Sequence, residues 1–173
     1  MRRIRYLVAS SLDGYIAGPN GEADWITQDP EVDFKAMFAQ FDTLLIGRHT
    51  YEAMVRFGQS SMPGMKLAVF SHTLRAVDHA DVEIVANDIS GYIESLRRKP
   101  GKDLWLFGGG SLFRSFLEAN LVDAVEVAVI PTLLGEGIPL LPSFGRRTRL
   151  KLVGERVYSA TGIVSLQYSI VRP

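Results

Sequence analysis

The chain has 173 residues, of which 47% are hydrophobic and 22% are charged, and it contains no cysteine. This composition favours a single folded domain over residues 1–173 and excludes a disordered chain, a disulfide framework and a thiolate site. Nineteen basic residues balance nineteen acidic ones, and no apolar run reaches the roughly 18 residues of a membrane span, so we expect a cytoplasmic protein without a nucleic-acid or membrane partner.

The first third of the chain alternates between strand and helix patterns. Ile4 to Ser10 alternates apolar and polar residues, which predicts a strand, and a glycine-containing loop follows it. Pro30 to Gln40 has apolar residues at helical spacing, with Asp29 as its expected N-cap. The apolar run "DTLLIG", which ends at Gly47, is typical of a buried parallel strand, and "RHTYEAM" predicts a short helix that Thr50 would cap.

The rest of the chain continues this alternation and then changes to strands alone. "KLAVFS", "VEIVA" and "DLWLF" predict three more buried strands, Asp88 begins a helix that ends near Arg98, and another helix follows Gly108–Gly110. "DAVEVAVIPTLL", "RLKLVGERVYS" and "GIVSLQYSIV" predict long strands, with the last one expected at an exposed edge. This order predicts an α/β fold whose mixed, mostly parallel sheet has an antiparallel C-terminal edge.

Three of the predicted parallel strands end in residues that suit a phosphate ligand. These residues are Gly47, Arg48, His49 and Thr50 at one turn, Ser71, His72 and Arg75 at another, and Gly108, Gly109 and Gly110 at the third. A helix N-terminus presents unpaired N–H groups and partial positive charge, and glycine lets a phosphate come close. A tight turn that packs a helix on the sheet would use the same three glycines, so both interpretations stay open. The turn is not the Rossmann fingerprint, because Phe113 stands where the third glycine would be.

Four segments, taken in order, resemble the dihydrofolate reductase-like superfamily: "ASSLDGYIAGPNGEADWI", "TLLIGRHTYEAM", "LAVFS" and "LWLFGGGSLFRSFLEANLVDAVEVAVIPTLLGEGIPLL". They are most similar to the reductase domain of bifunctional riboflavin-biosynthesis deaminase-reductases and to its stand-alone relatives. The resemblance covers nearly the whole chain. It implies a three-layer α/β/α sandwich and NADPH as the hydride donor.

The resemblance also implies a cofactor site. It puts Ala9 against the nicotinamide and Trp25 in a loop over the nicotinamide. The other cofactor-binding residues that it implies are Ile16, Gly47, Arg48, His49, Thr50, Ser71, His72, Gly108, Gly109, Gly110, Ser111 and Leu112. The helix start at the three glycines would then face the cofactor's pyrophosphate.

Departures from these families bear on the substrate. Riboflavin-pathway reductases often carry an acidic residue just before the glycine turn, where this chain has Leu106 and Phe107. Dihydrofolate reductases carry a carboxylate in the first helix, and Glu31 and Asp33 lie near that position. The zinc-deaminase signature is absent from the sequence. The candidate substrate contacts are Asp13, Trp25, Glu31 and Phe34, and the candidate catalytic residues are Asp13, Asp24 and Asp33.

The residues and the resemblance together predict an NADPH-dependent reductase of a pterin-like or pyrimidine-like heterocycle. Its activity would be similar to that of 5-amino-6-(5-phosphoribosylamino)uracil reductase or dihydrofolate reductase. A non-catalytic nucleotide-binding or ligand-sensing domain on the same fold is the alternative. His49, His72 and His79 lack metal-ligand spacing, so no metal site is expected. Relatives of this family often pair, and with the apolar last strand this predicts a homodimer.

Overall fold

The structure, a computed structural model, describes residues 1–59 and 61–172. Its strands are β1 (Ile4–Ser11), β2 (Tyr15–Ala17), β3 (Phe41–Gly47), β4 (Lys66–Phe70), β5 (Glu83–Val85), β6 (Asp103–Gly108), β7 (Ala124–Ile130), β8 (Ile138–Pro139), β9 (Leu150–Tyr158) and β10 (Ile163–Ile170). Its helices are α1 (Phe34–Phe38), α2 (Arg48–Arg56), α3 (Ile89–Arg98) and α4 (Gly110–Glu118), with a short 3-10 turn at Ala76–Asp78.

Within these residues, eight strands form the main sheet in the order β5–β4–β3–β6–β1–β7–β10–β9. The first six strands of that order run parallel, whereas β10 pairs antiparallel with both β7 and β9. This confirms the predicted mostly parallel sheet with an antiparallel C-terminal edge. The parallel strands end at one edge of the sheet, where their connections to helices gather the turns discussed below.

Helices cover both faces of the sheet. Strand β3 illustrates the division, because Leu45 packs into the core cluster on one face while Leu44 and Ile46 pack into the cluster on the other. Helices α3 and α4 contribute Ile93 and Phe116 to the first cluster, and both side chains are fully buried. Helices α1 and α2 cover the opposite face. The three-layer α/β/α sandwich is therefore confirmed.

The helix predicted over Pro30 to Gln40 is wrong at its start. Helix α1 begins only at Phe34, and its N-cap is Asp33, whose carboxylate accepts a hydrogen bond from the N–H of Ala36 (2.8 Å). Asp29 is buried, and its carboxylate accepts from the N–H of Glu31 and from the hydroxyl of Thr161. These bonds hold the segment after Asp29 as a turn, so Asp29 caps no helix.

The predicted edge strand is also corrected. "GIVSLQYSIV" forms β10, which is paired on both sides, and the outer strand is β9. The hairpin that joins β9 to β10 brings the last strand back between β7 and β9. Strand β7 ends at Ile130, earlier than predicted, because Pro131 cannot donate to the ladder.

No helix in the described part of the chain combines the length and apolar character needed to cross a membrane.

A second, two-stranded sheet was not predicted. It pairs β2 with β8 and lies beside the glycine turn, since a Cβ on Gly110 would meet the backbone oxygen of Pro139 in β8. Strands of two or three residues are too short to show a period in the sequence.

Candidate functional site

A cleft of about 1380 Å³ opens at the carboxyl ends of the parallel strands. One part, which we call the glycine half, is lined by Gly47–Thr50, Ser71–His72, Val85–Ile89 and Gly109–Leu112. The other part, the aromatic half, is lined by the 19–32 loop and by apolar side chains that include Ala9, Phe34, Phe38, Trp105, Phe107, Ala128 and Ile163. Open α/β sheets bind ligands at this edge.

The glycine half is built around two helix N-termini. Helices α2 and α4 follow the neighbouring strands β3 and β6 and then pack on opposite faces of the sheet. Their N-caps are Gly47 and Gly109, and neither N-cap supplies a side-chain hydrogen bond. The two helix starts are close, because a Cβ on Gly109 would lie only 3.7 Å from the hydroxyl of Thr50. Two sets of unpaired N–H groups and two positive helix ends therefore meet at one place, which suits a phosphate.

Because Gly47 occupies the N-cap position, the prediction that Thr50 caps α2 is wrong. Helix α2 starts directly at the end of β3, so Thr50 is already the third residue of the helix. Its hydroxyl lies beside Gly109 in the other turn.

The three consecutive glycines have different roles. Gly108 has a φ of +140°, a conformation that side chains rarely adopt, and its peptide bond to Gly109 is cis. A Cβ on Gly110 would lie 2.6 Å from the oxygen of Pro139 and 3.0 Å from that of Leu140, so this glycine is required for packing. A Cβ on Gly109 would meet only Thr50, at an ordinary contact distance. The packing interpretation therefore applies to Gly110, whereas Gly109 borders the cleft.

Hydroxyl groups and one cation gather at the end of β4. The Arg48 guanidinium donates to the Thr73 hydroxyl (2.9 Å), and its Nε lies 3.4 Å from the Glu52 carboxylate. The Ser71 hydroxyl accepts from the N–H groups of Thr73 (3.2 Å) and Leu74 (3.1 Å). The sequence analysis missed Thr73, although its hydroxyl lies only two residues beyond Ser71.

The other basic candidates in this region differ in their placement. The side chain of His49 is 87% exposed and lies 3.6 Å from the Glu52 carboxylate, and His72 also lines the cleft. Arg75 is not among the lining residues. The sequence analysis also missed Val85–Ile89, which connect the end of β5 to the start of α3 and form the fourth parallel strand end in this half.

The aromatic half has a flat, apolar floor and wall. Ala9 and Ala128 lie directly opposite each other on β1 and β7, and their small side chains leave space above the sheet. Trp105 stacks on Phe38 (5.4 Å between ring centroids) and meets Phe107 edge-on (5.2 Å). The indole N–H of Trp105 donates to the oxygen of Leu7 (2.9 Å), so the wall presents no free indole donor. Aromatic side chains of this kind favour the stacking of a planar ring.

The predicted carboxylates do not line this cleft. The Asp13 carboxylate accepts from the Ser11 hydroxyl (2.6 Å) and from the N–H groups of Leu134 and Gly135. The Ser11 hydroxyl bond, followed by that of Gly135, lowers the pKa of Asp13. Asp13 is therefore held as an ionised acceptor that fixes the 134–135 turn.

The remaining candidates from the sequence are distributed as follows. Glu31 forms an ion pair with Arg156 (3.1 Å), Asp24 is exposed, and Asp33 caps α1. Trp25 donates its indole N–H to the oxygen of Glu22 and is not a lining residue. Of the residues predicted to contact cofactor or substrate, the cleft is lined by Ala9, Ile16, Phe34, Gly47, Arg48, His49, Thr50, Ser71, His72, Gly109, Gly110, Ser111 and Leu112.

Asp29 is a lining carboxylate that the sequence analysis assigned only to helix capping. It is 3% exposed, and its oxygens accept from the Glu31 N–H (2.8 Å) and the Thr161 hydroxyl (2.7 Å). These bonds tie the 19–32 loop to the β9–β10 hairpin. Within residues 1–59 and 61–172, no three His, Asp or Glu side chains are grouped as a metal site would require.

Comparisons with known proteins agree with this architecture. Residues 2–164 match the family described as the RibD C-terminal domain. The chain is 34% identical over 179 residues to YyaP of Bacillus subtilis (strain 168), which is described as uncharacterized; the match covers 96% of this chain and 94% of YyaP.

Two solved structures show the same fold. A protein from Shewanella sp. PV-4, whose description assigns it to riboflavin biosynthesis, is 27% identical with a TM-score of 0.84 over 99% of this chain and 100% of that one. Dihydrofolate reductase from Enterococcus faecalis, solved with NADP(H), is 20% identical with a TM-score of 0.71 over 98% of this chain and 97% of that one. The dihydrofolate reductase-like fold is therefore confirmed.

Proposed function

The chain belongs to the RibD C-terminal domain family, and on that premise we propose that it is a cytoplasmic, NADPH-dependent reductase of a small pterin-like or pyrimidine-like heterocycle. One observation carries the proposal. Two helix N-termini without side-chain caps converge on Gly109 at one side of a cleft whose other side is flat and aromatic. The first feature suits a pyrophosphate, and the second suits two stacked planar rings.

The residues of the cleft fit NADPH. The N–H groups at the starts of α2 and α4 would bind the pyrophosphate, and Arg48 with the Ser71 and Thr73 hydroxyls would bind the 2′-phosphate. Ala9 would leave room for the nicotinamide. The bound cofactor supplies the hydride, while the protein orients the ring and its aromatic half excludes water. Catalysis would then be mostly positioning, which is consistent with the absence of Asp13, Asp24 and Asp33 from the lining of the cleft.

We expect NADPH to bind about a hundredfold more tightly than NADH. Two charge-assisted contacts to the 2′-phosphate, each contributing about 1.5–3 kcal/mol, account for a preference of at least that size. Calorimetric titration with both cofactors measures this preference. In the Arg48→Gln variant the ratio of NADPH affinity to NADH affinity should fall at least tenfold. Arg56→Gln removes the same charge from the last turn of the same helix and should leave the preference unchanged. Equal affinities of the wild-type protein for the two cofactors would refute this assignment.

A non-catalytic ligand-binding domain remains the alternative function. It predicts that NADPH binds but is not oxidised in the presence of a panel of pterins and aminopyrimidines. The proposed reductase predicts loss of NADPH absorbance with at least one of them.

We also propose that two copies of the chain pair along β9. This strand is the outer edge of the main sheet, and its Leu152, Val153 and Val157 side chains are exposed. An edge strand of nine residues with exposed apolar side chains is a ready template for pairing. Light scattering should return twice the chain mass of 19.2 kDa at micromolar concentration, and a monomer mass would contradict the proposal.

A further inference from the structure

Positive charge in the cleft comes from α2 and from the turn after β4. Four basic residues line the cleft within the described part of the chain, namely Arg48, His49, Arg56 and His72. Three of them lie on α2 and the fourth follows β4. The lining of the aromatic half, from the 19–32 loop through α1 to β10, therefore contains no lysine, arginine or histidine among the residues that the structure describes.

The aromatic half contains a carboxylate among its described lining residues. Asp29 is 3% exposed, and its hydrogen bonds come from neutral donors, the Glu31 N–H and the Thr161 hydroxyl. A second anion placed beside it would lose its hydration and meet a charge of the same sign. Arg156, opposite Ser165 on β10, does not line the cleft and is paired with Glu31 (3.1 Å).

The residues just before the glycine turn add no polar anchor. Leu106 is fully buried in the opposite core, and Phe107 faces the cleft, edge-on to Trp105. A ring bound in this half would therefore be held by stacking on aromatic side chains, and the described residues of this half include no cation that would neutralise a phosphate attached to that ring.

One cation, Arg56, lines the same cleft from the last residue of α2, on the sheet face that α1 also covers. Arg56 is exposed to solvent, and an ion pair made by such an exposed side chain changes affinity by no more than about fivefold. Arg48 belongs to the glycine half, where it contacts Thr73.

We infer that the substrate is a flat heterocycle without a phosphate, held by stacking in the aromatic half. This inference rests on the proposed reductase function. It distinguishes the chain from a 5-amino-6-(5-phosphoribosylamino)uracil reductase, whose substrate carries a phosphate. The lack of a buried cation among the described residues beside the ring site and the presence of the buried Asp29 carboxylate both select against anionic substrates.

Binding of two matched compounds tests this. The protein is first saturated with NADP⁺, so that the cations of the glycine half are occupied. It is then titrated calorimetrically with 5-amino-6-(5-phosphoribosylamino)uracil and with the same compound after its phosphate has been removed. We expect the dephosphorylated compound to bind at least tenfold more tightly. Equal or tighter binding of the phosphorylated compound would overturn the inference, and so would failure of both compounds to bind at millimolar concentration.

A variant that adds a cation to the aromatic half tests whether the lack of positive charge there disfavours the phosphorylated compound. Met37 lines the aromatic half from α1, whereas Ala36 on the same helix is exposed and does not. Met37→Lys should improve the relative affinity for the phosphorylated compound at least tenfold, and Ala36→Lys should leave it within about twofold. Similar behaviour of the two folded variants would contradict the inference.

The same titrations separate this inference from the proposed function. If NADP⁺ itself does not bind, the reductase proposal fails. The comparison of the two compounds, repeated on the unliganded protein, still decides whether the aromatic half excludes phosphate.

Discussion

Gly109→Ala is expected to lower NADPH affinity at least tenfold, while Tm of the unliganded protein shifts by only a few degrees. The new methyl group would meet only the Thr50 hydroxyl at 3.7 Å, so the fold can accommodate it. It would nevertheless lie between the starts of α2 and α4, where a pyrophosphate must approach the backbone N–H groups. A tenfold loss corresponds to about 1.4 kcal/mol. Calorimetric titration and thermal unfolding measure the two quantities separately.

Gly110→Ala is the matched control, one residue further along the same turn. Its methyl group would lie 2.6 Å from the Pro139 oxygen and 2.9 Å from the Pro142 ring, so the surrounding backbone must move. Overpacking of this kind costs about 1–3 kcal/mol, and we expect Tm to fall by several degrees. If Gly109→Ala melted early and still bound NADPH normally, the turn at Gly109 would be a packing device and not a binding site.

Glu126→Ala is expected to reduce the free energy of unfolding by about 3–5 kcal/mol, the cost of removing one partner of a buried ion pair. Arg5 and Glu126 are each only 6% exposed, and the Arg5 guanidinium donates to the Glu126 carboxylate (2.8 Å). Burial has the largest single influence on the pKa of Arg5 and lowers it. The hydrogen bond and the charge of Glu126, with those of Asp103, together outweigh burial, so the pKa of Arg5 is raised. Because the guanidinium stays protonated, removal of the Glu126 carboxylate leaves a buried charge without its closest partner.

Urea denaturation measures this loss, and Glu155→Ala on the exposed strand β9 is the control. Removal of that carboxylate should change the free energy of unfolding by less than about 0.5 kcal/mol. A loss below about 1 kcal/mol for Glu126→Ala would mean that Gln40 and Asp103, which also contact Arg5, are sufficient to hold the buried cation.

The sequence was informative where a pattern extends over many residues. Each long strand is recognisable from its apolar run, and the turns at Gly47 and Gly109 follow because parallel strands end at one edge of the sheet. The helix predicted from Pro30 failed because a buried carboxylate, that of Asp29, bonded the following turn instead. The bond from Asp29 to Thr161 spans 132 residues, and no local pattern in the sequence reports such a contact.

In the candidate site, too, the sequence did not report contacts between residues that are distant along the chain. The glycine-rich and basic turns were found because their residue types are unusual, whereas Val85–Ile89 are ordinary residues that only the sheet order brings to the cleft. Glycine alone could not separate binding from packing, because the difference between Gly109 and Gly110 depends on distant residues in and near β8. The charge of the aromatic half likewise depends on which side chains are assembled there from distant segments.

The structure of the protein crystallised with NADP⁺ tests the central claim most directly. We predict that the pyrophosphate lies between the starts of α2 and α4, within hydrogen-bond distance of backbone N–H groups in the turn at Gly109, with the nicotinamide against Ala9. A nucleotide bound with its pyrophosphate away from both helix starts would contradict the account.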